Sequence, residues 1–187
     1  MRVIAGEFGG RRLTPPKSEG VRPTTDRVKE AIFSMLAPDL PDAVCLDLFA
    51  GSGGLGIEAI SRGAARVYFC DLSPESIALV KKNVAAVRAE DRAVPLLCGW
   101  RQSFARIHEK IDIVLIDAPY DLCEYADILS AFAAAEILAD GALIVIERER
   151  GKGRYALPIA FELLKTRHYG NTEVDVIRFE IISLEKI

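Results

Sequence analysis

The sequence predicts an α/β protein: a doubly wound, mostly parallel sheet of seven strands behind a short N-terminal hairpin and helix. Three observations predict it. From Val44 onward, short apolar runs alternate with amphipathic helical stretches, the pattern of strand–helix–strand units. A glycine-rich loop, 50–56, joins the first apolar run to the first helix of that series. The chain has 187 residues and half are hydrophobic, enough for one domain with a substantial core.

Residues 1–24 are rich in Gly, Arg and Pro and read as a basic extension too small for its own core; residues 25–187 read as the domain. Val3-Ile4-Ala5 and Arg11-Arg12-Leu13 can pair across the intervening glycines. Thr25 is placed to cap a helix, with Asp26 at its positive end. Val28, Ala31, Ile32 and Met35 follow at helical spacing, and Pro38 and Pro41 end the helix. Residues 44–49 predict the first strand, 55–62 a helix and 66–70 the second strand. Residues 74–88 predict a helix capped by Ser73, with Pro74 at the tolerated first position. Residues 94–98 form the third strand and 102–108 a short helix. The fourth strand, 111–115, leads to the Pro119 turn. An alanine-rich helix over 124–138 precedes a fifth strand, 142–147, after the Asp140-Gly141 turn. Residues 161–169 and 173–182 read as a closing antiparallel pair around Gly170-Asn171.

No apolar run reaches the roughly 18 residues of a membrane span, and the N-terminus has no signal-peptide pattern. Cys45, Cys70, Cys98 and Cys123 are widely spaced, and His108 and His168 are the only histidines. The expectation is a cytoplasmic protein with reduced cysteines and no metal site. The net charge of -3 argues against nucleic acid, but its distribution does not. Seven basic residues among the first 29 (Arg2, Arg11, Arg12, Lys17, Arg22, Arg27, Lys29) face only Glu7, Glu19 and Asp26. A basic arm on an acidic body fits local contact with a polyanion, or a solvated tail.

The loop from Asp47 to Gly56 suits a nucleotide-like ligand. Gly51, Gly53 and Gly56 let the backbone turn and approach a ligand closely, and the helix start offers free N–H groups. Asp71 ends the second strand, twenty residues after Gly51, where a carboxylate can accept both hydroxyls of a ribose. The spacing also matches the dinucleotide fingerprint. Asp47 argues against that reading, because a carboxylate there would face a pyrophosphate. It suits instead a cofactor with a cationic amino-acid end, such as S-adenosylmethionine (SAM).

The second focus is Asp117-Ala118-Pro119-Tyr120 at the end of the fourth strand. Strand C-terminal ends are where open α/β sheets bind ligands. Asp117 and the Ala118 carbonyl can accept both hydrogens of an exocyclic amine, and Tyr120 can stack on its ring. The alternative is a proline turn that merely ends a core strand.

Together these residues resemble the class I SAM-dependent methyltransferases, and more narrowly the RsmD family, whose members make N2-methylguanine in bacterial 16S ribosomal RNA. The resemblance rests on Arg22-Pro23-Thr24-Thr25-Asp26-Arg27, the 47–56 loop, Ser61-Arg62-Gly63-Ala64, Asn83 and the ending Tyr169-Gly170-Asn171-Thr172-Glu173-Val174. It implies a Rossmann-like methyltransferase sheet. It implies catalysis by Asp117, Ala118, Pro119 and Tyr120, and a cofactor held by Asp47, Phe49, Ala50, Gly51, Ser52, Gly53, Gly56, Asp71, Leu72 and Trp100 together with Thr24 and Thr25. Arg11, Arg12, Arg22 and Tyr120 would meet the substrate; Arg148, Arg150, Lys152 and Arg154 could reach RNA phosphates or, interleaved with Glu147 and Glu149, form a solvated loop. The expected partner is 16S rRNA in an assembled or assembling 30S subunit, met by a monomer. Two departures stand out: Ala118 replaces the first proline of the motif, and Gly99-Trp100-Arg101 offers no acid where the family supplies one to the adenine. Competing readings are an adenine-N6 methyltransferase on DNA or RNA, a glutamine methyltransferase, a nicotinamide oxidoreductase, and a non-catalytic SAM- or RNA-binding module.

Overall fold

A computed structural model of the protein describes residues 1–16, 25–119, 124–152 and 155–181. Helix α1 (Asp26–Leu36) precedes β1 (Val44–Asp47), α2 (Gly54–Ser61), β2 (Arg66–Asp71), α3 (Pro74–Val87), β3 (Ala93–Leu97), α4 (Trp100–Ser103), β4 (Ile111–Asp117), α5 (Tyr125–Ala135), β5 (Leu138–Glu149), β6 (Phe161–Tyr169) and β7 (Thr172–Phe179). One seven-stranded sheet has the order β3-β2-β1-β4-β5-β7-β6. Strands β1 to β5 run parallel, and β7 enters antiparallel between β5 and β6.

The central strands are buried on both faces, as parallel strands covered by helices must be. One hydrophobic cluster packs Ile32 and Phe33 of α1, Ile57 and Ile60 of α2, and Val80 and Val84 of α3 against Val67, Phe69 and Leu115. The other packs Trp100, Tyr125, Ile128 and Phe132 against Leu46, Val114 and Ile144. Among the described residues, no helix is long and apolar enough to cross a membrane.

The N-terminal hairpin forms: Arg2 bridges Arg12, and Val3 N–H bonds the Arg11 carbonyl at 2.9 Å. It is seated more deeply than its composition suggests. Val3, Phe8 and Leu13 join the first hydrophobic cluster. Fully buried Glu58 accepts the Ile4 and Ala5 N–H groups at 2.7 and 3.0 Å, and pairs with Lys29 Nζ at 3.0 Å and Arg62 Nε at 2.8 Å. A buried carboxylate needs this many donors to offset its lost hydration. Gly6 (φ 82°) lies against α2 so closely that a Cβ would sit 1.8 Å from the Ser61 carbonyl oxygen.

Boundaries differ from the sequence expectation in several places. Helix α5 stops at Ala135 because Glu136 turns left-handed (φ 52°). Strand β5 then starts at Leu138, pairing with Ile111, and bulges through Gly141 (φ 78°) before Leu143 meets Ile113. The expected helix over 102–108 is α4 followed by a 3-10 turn, Phe104–Arg106. Strand β4 runs on to Asp117, because its last residues pair with Ile146 and Glu147 of β5.

Candidate active site

Strands β1, β2 and β3 step outward in one direction, and the chain then returns to place β4 on the other side of β1. The ends of β1 and β4 are therefore the topological switch point, where such sheets bind ligands. Those ends carry Asp47 and Asp117. Register fixes their relation. Asp47 lies beside Leu115 and Phe69, and Asp117 lies beside Glu147. Asp71 and Asp117 are each two residues beyond the partners of Asp47, so all project to the same face of the sheet. Asp71, Asp47 and Asp117 thus end three adjacent strands on one face, the face that α2 covers, and Glu147 of β5 continues the row beside Asp117.

Asp47 is buried, and its Oδ2 accepts the Gly56 N–H at 2.9 Å. Burial, with Asp117 and Asp71 adding negative potential, raises its pKa to about 7, against the lowering by the Gly56 N–H. At neutral pH this carboxyl is poised to ionise when a positive charge arrives. Asp71 Oδ2 accepts the Gly51 N–H at 2.9 Å, and its Oδ1 accepts the Ser73 N–H at 2.8 Å. The two carboxylates therefore pin the glycine loop at both ends. The sequence assigned them to the ligand; the structure gives each a scaffolding bond as well.

Gly51 and Gly53 hold positive φ (53° and 79°), which favours glycine there. Gly56 is constrained by space: a Cβ would lie 2.2 Å from Phe69 Cε1. Ala50 N–H donates to the Cys70 carbonyl and Gly53 N–H to the Ala50 carbonyl. Phe49 packs against the second cluster, and the Ser52 carbonyl accepts the Asn83 amide at 2.9 Å. Leu72, 74% exposed, stands beside Gly99 after Asp71. An exposed leucine next to a glycine is a suitable wall for a flat apolar ring.

Ala118 is buried and Pro119 exposed. Tyr120, Arg22, Thr24, Cys123 and Arg154 lie outside the described residues. Trp100 follows β3 at this same sheet edge but is largely buried, its ring 5.9 Å from Phe104 and capped by the Arg101 guanidinium at 4.0 Å. Thr25 caps α1, its hydroxyl accepting the Val28 N–H at 3.3 Å.

Two of the expected RNA-contacting arginines, Arg11 and Arg148, have partners within the chain. Arg11 donates to the Val87 carbonyl at 3.0 Å and lies over Phe8. Val87 ends α3, a helix that starts at the carboxylate edge and runs away from it. Arg11 is thus held at the C-terminal end of α3, and Arg12 bridges Arg2 beside it, exposed. Arg148 is buried rather than presented to phosphates: it pairs with Asp175 at 3.1 Å and with Glu173, and donates to the Lys152 carbonyl at 2.9 Å. Asp175 also accepts Tyr155 and Thr166 hydroxyls. Asp175 was not anticipated; an acid between valines in a strand of buried residues was the available signal. Arg150 and Lys152 remain on the exposed turn after β5.

Residues 1–178 match the model of a family described as conserved hypothetical protein 95. The chain is 36% identical over 170 residues to ribosomal RNA small subunit methyltransferase D of Escherichia coli (strain K12), covering 91% of this chain and 85% of that protein. It is 35% identical over 173 residues to the protein of the same name from Haemophilus influenzae, covering 91% and 89%. Among solved structures, "Putative methyltransferase yhhF from Escherichia coli" superposes with a TM-score of 0.87 at 33% identity, covering 96% of this chain and 98% of that one.

Proposed function

The chain belongs to the RsmD family of methyltransferases, and on that premise we propose that it transfers a methyl group from SAM to the exocyclic N2 amine of a guanine in 16S ribosomal RNA. The observation that carries this reading is the convergence of Asp71, Asp47 and Asp117 on one face at the switch point, around a glycine loop. Such an edge repels a pyrophosphate and attracts a cation. The fit to SAM is in charge: burial, with a smaller contribution from the Asp117 and Asp71 charges, raises the Asp47 pKa, and a positive ligand favours its ionised form.

SAM supplies, when bound, an activated sulfonium methyl. The chain's own residues do the rest by positioning. The Asp117 carboxylate and the Ala118 carbonyl each accept one N–H of the target amine. This fixes the nitrogen and turns its lone pair out of conjugation with the ring. The Asp117 charge stabilises the positive charge that develops on nitrogen, and the carboxylate or water takes the released proton. Tyr120 stacks on the unstacked base. Gly51, Gly53 and Gly56 keep the loop backbone close to the cofactor. Asp71 would accept the ribose hydroxyls, and Leu72 and Trp100 would flank the adenine, with Thr25 at the start of α1 among the residues that would hold the cofactor. The substrate is RNA held in a small subunit, assembled or assembling, and the protein works as a monomer in the cytoplasm.

The test is transfer of labelled methyl from SAM to unmodified small subunits and to naked 16S rRNA, followed by nucleoside digestion. We expect N2-methylguanosine, made faster on the particle. Labelled N6-methyladenosine would replace this acceptor, and equal rates on the two substrates would remove the particle requirement.

A pH prediction follows from Asp47. Its folded pKa, about 7, lies above the ordinary 3.8. The native state therefore holds a proton that the unfolded chain has lost, and stability falls as pH rises from about 4 through about 7. SAM favours the ionised form, so its binding should tighten across pH 6 to 8 and cancel the stability loss. Asp47→Asn should remove the Asp47 contribution to both trends while keeping an acceptor for Gly56, leaving only the titration of the ligand's own amine. Calorimetry and thermal melts at four pH values decide; identical profiles for the two proteins would refute the assignment.

A further inference from the structure

Two separate contacts join the N-terminal hairpin to the glycine loop, and neither belongs to the loop's own turn geometry. The first runs through Asn83 of α3, which is fully buried. Its side-chain oxygen accepts the Thr14 N–H at 2.8 Å. Its amide nitrogen donates to the Thr14 carbonyl at 3.0 Å and to the Ser52 carbonyl at 2.9 Å. Both amide hydrogens are thereby used. Asn83 meets Thr14 as a neighbouring strand would, and gives its last donor to the loop. The second contact is made by Met1. Its sulfur accepts the Ser52 hydroxyl at 3.4 Å and lies 3.0 Å from where a Cβ on Gly54 would be. Met1 and Leu13 are tied by a backbone bond of 3.1 Å, so both contacts come from one hairpin.

Asp47 and Asp71 fix the loop from the sheet side, through Gly56 and Gly51. Between those points, Ser52 is held only by groups that the hairpin positions, among the contacts described. We propose that Asn83 is a positioning residue for the cofactor loop, and that the hairpin of residues 1–14 is the back wall of the cofactor site. This rests on the reading of the glycine loop as the SAM site, and adds that SAM affinity depends on a segment remote from the ligand. The hairpin's seat on Glu58 and Ser61 then serves the loop's geometry as well as the fold.

The test compares SAM affinity by calorimetry, steady-state kinetics and melting temperature for the wild-type chain, Asn83→Ala, Thr14→Pro and the double variant. Asn83→Ala removes the donor to Ser52. It should weaken SAM about tenfold, the loss expected for one buried hydrogen bond with its desolvation penalty. KM for SAM should rise in parallel, and kcat at saturating SAM should stay within about twofold. Thr14→Pro deletes the N–H that orients Asn83, while also fixing φ at that position, and should weaken SAM about threefold by the same reasoning. The two losses should be less than additive in the double variant, because they act through one chain of bonds. SAM binding unchanged in both single variants, with only the melting temperature lowered, would reduce Asn83 to packing and overturn the inference. If Asn83→Ala does not fold, Thr14→Pro decides alone: weakened binding supports the link and unchanged binding overturns it. A wild-type chain that binds no SAM overturns the cofactor reading and this inference together.

Discussion

Asp117→Ala should lower methyl transfer by about 10²- to 10³-fold, the loss typical of removing one preorganised electrostatic partner of a transition state, while SAM binding changes little. The separation of the two effects is the point. Asp117 ends β4 beside Glu147 and shares a face with Asp47, and the loop is pinned at Gly56 by Asp47 and at Gly51 by Asp71. Removing its carboxylate leaves the loop's bonds to Gly51 and Gly56 in place. It also removes one source of the negative potential that raises the Asp47 pKa, so the apparent pKa of SAM binding should move down. Single-turnover transfer and calorimetric SAM binding on the same preparation measure both. Equal loss of transfer and binding would show that Asp117 organises the cofactor rather than the acceptor amine.

Gly56→Ala should be the most damaging single-methyl addition at the site. Gly56 sits in the first turn of α2, where alanine is favoured by helix propensity. The obstacle is purely spatial. The new Cβ would lie 2.2 and 2.8 Å from Phe69 Cε1 and Cζ and 2.9 Å from Val67 Cγ1. Both neighbours are fully buried in β2, and Phe69 lies beside Asp47. Either Phe69 leaves its rotamer or α2 lifts off the sheet, and lifting α2 breaks the Gly56–Asp47 bond. Overpacking of this kind costs about 1–3 kcal/mol, and the lifted loop should lose SAM. Gly141→Ala is the contrast: its φ is 78° but nothing lies within 4 Å of the added Cβ, so any loss there is backbone strain away from the site. Urea unfolding and SAM binding of the two variants separate the effects. A Gly56→Ala protein that binds SAM normally would show that Phe69 yields freely.

Much of this molecule was legible before its structure. The alternation of apolar runs and helical stretches gave each strand within a few residues, because parallel strands buried on both faces read as continuous apolar runs. Ser73 with Pro74, and Thr25 with Asp26, marked helix starts through local capping chemistry, and both caps form. Where local rules competed with tertiary pairing, pairing decided. Residues 136–141 read as helix end and turn, yet Leu138 is drawn into β5 by Ile111. The basic character of residues 1–29 suggested an arm reaching for RNA. Charge counts cannot show that Arg11 caps α3 or that Arg148 is held by Asp175 and Glu173.

What the sequence determined by itself was composed of neighbours in the chain: the α/β class, the glycine loop, the helix caps and the acid-bearing strand ends. These depend on backbone preferences and side-chain periodicity within a few residues, so they are written locally. What the tertiary structure alone decided was the association of distant segments. The crossover that sets β4 beside β1 brings Asp117 to the face of Asp47, and strand register places Asp71 and Glu147 on the same side. The burial of Asp47, which with the nearby Asp117 and Asp71 charges raises its pKa, exists only once these segments have packed together. The seating of the hairpin on Glu58, and its reach through Asn83 to Ser52, follow from the same cause. A buried polar group must find its partner wherever the fold supplies one.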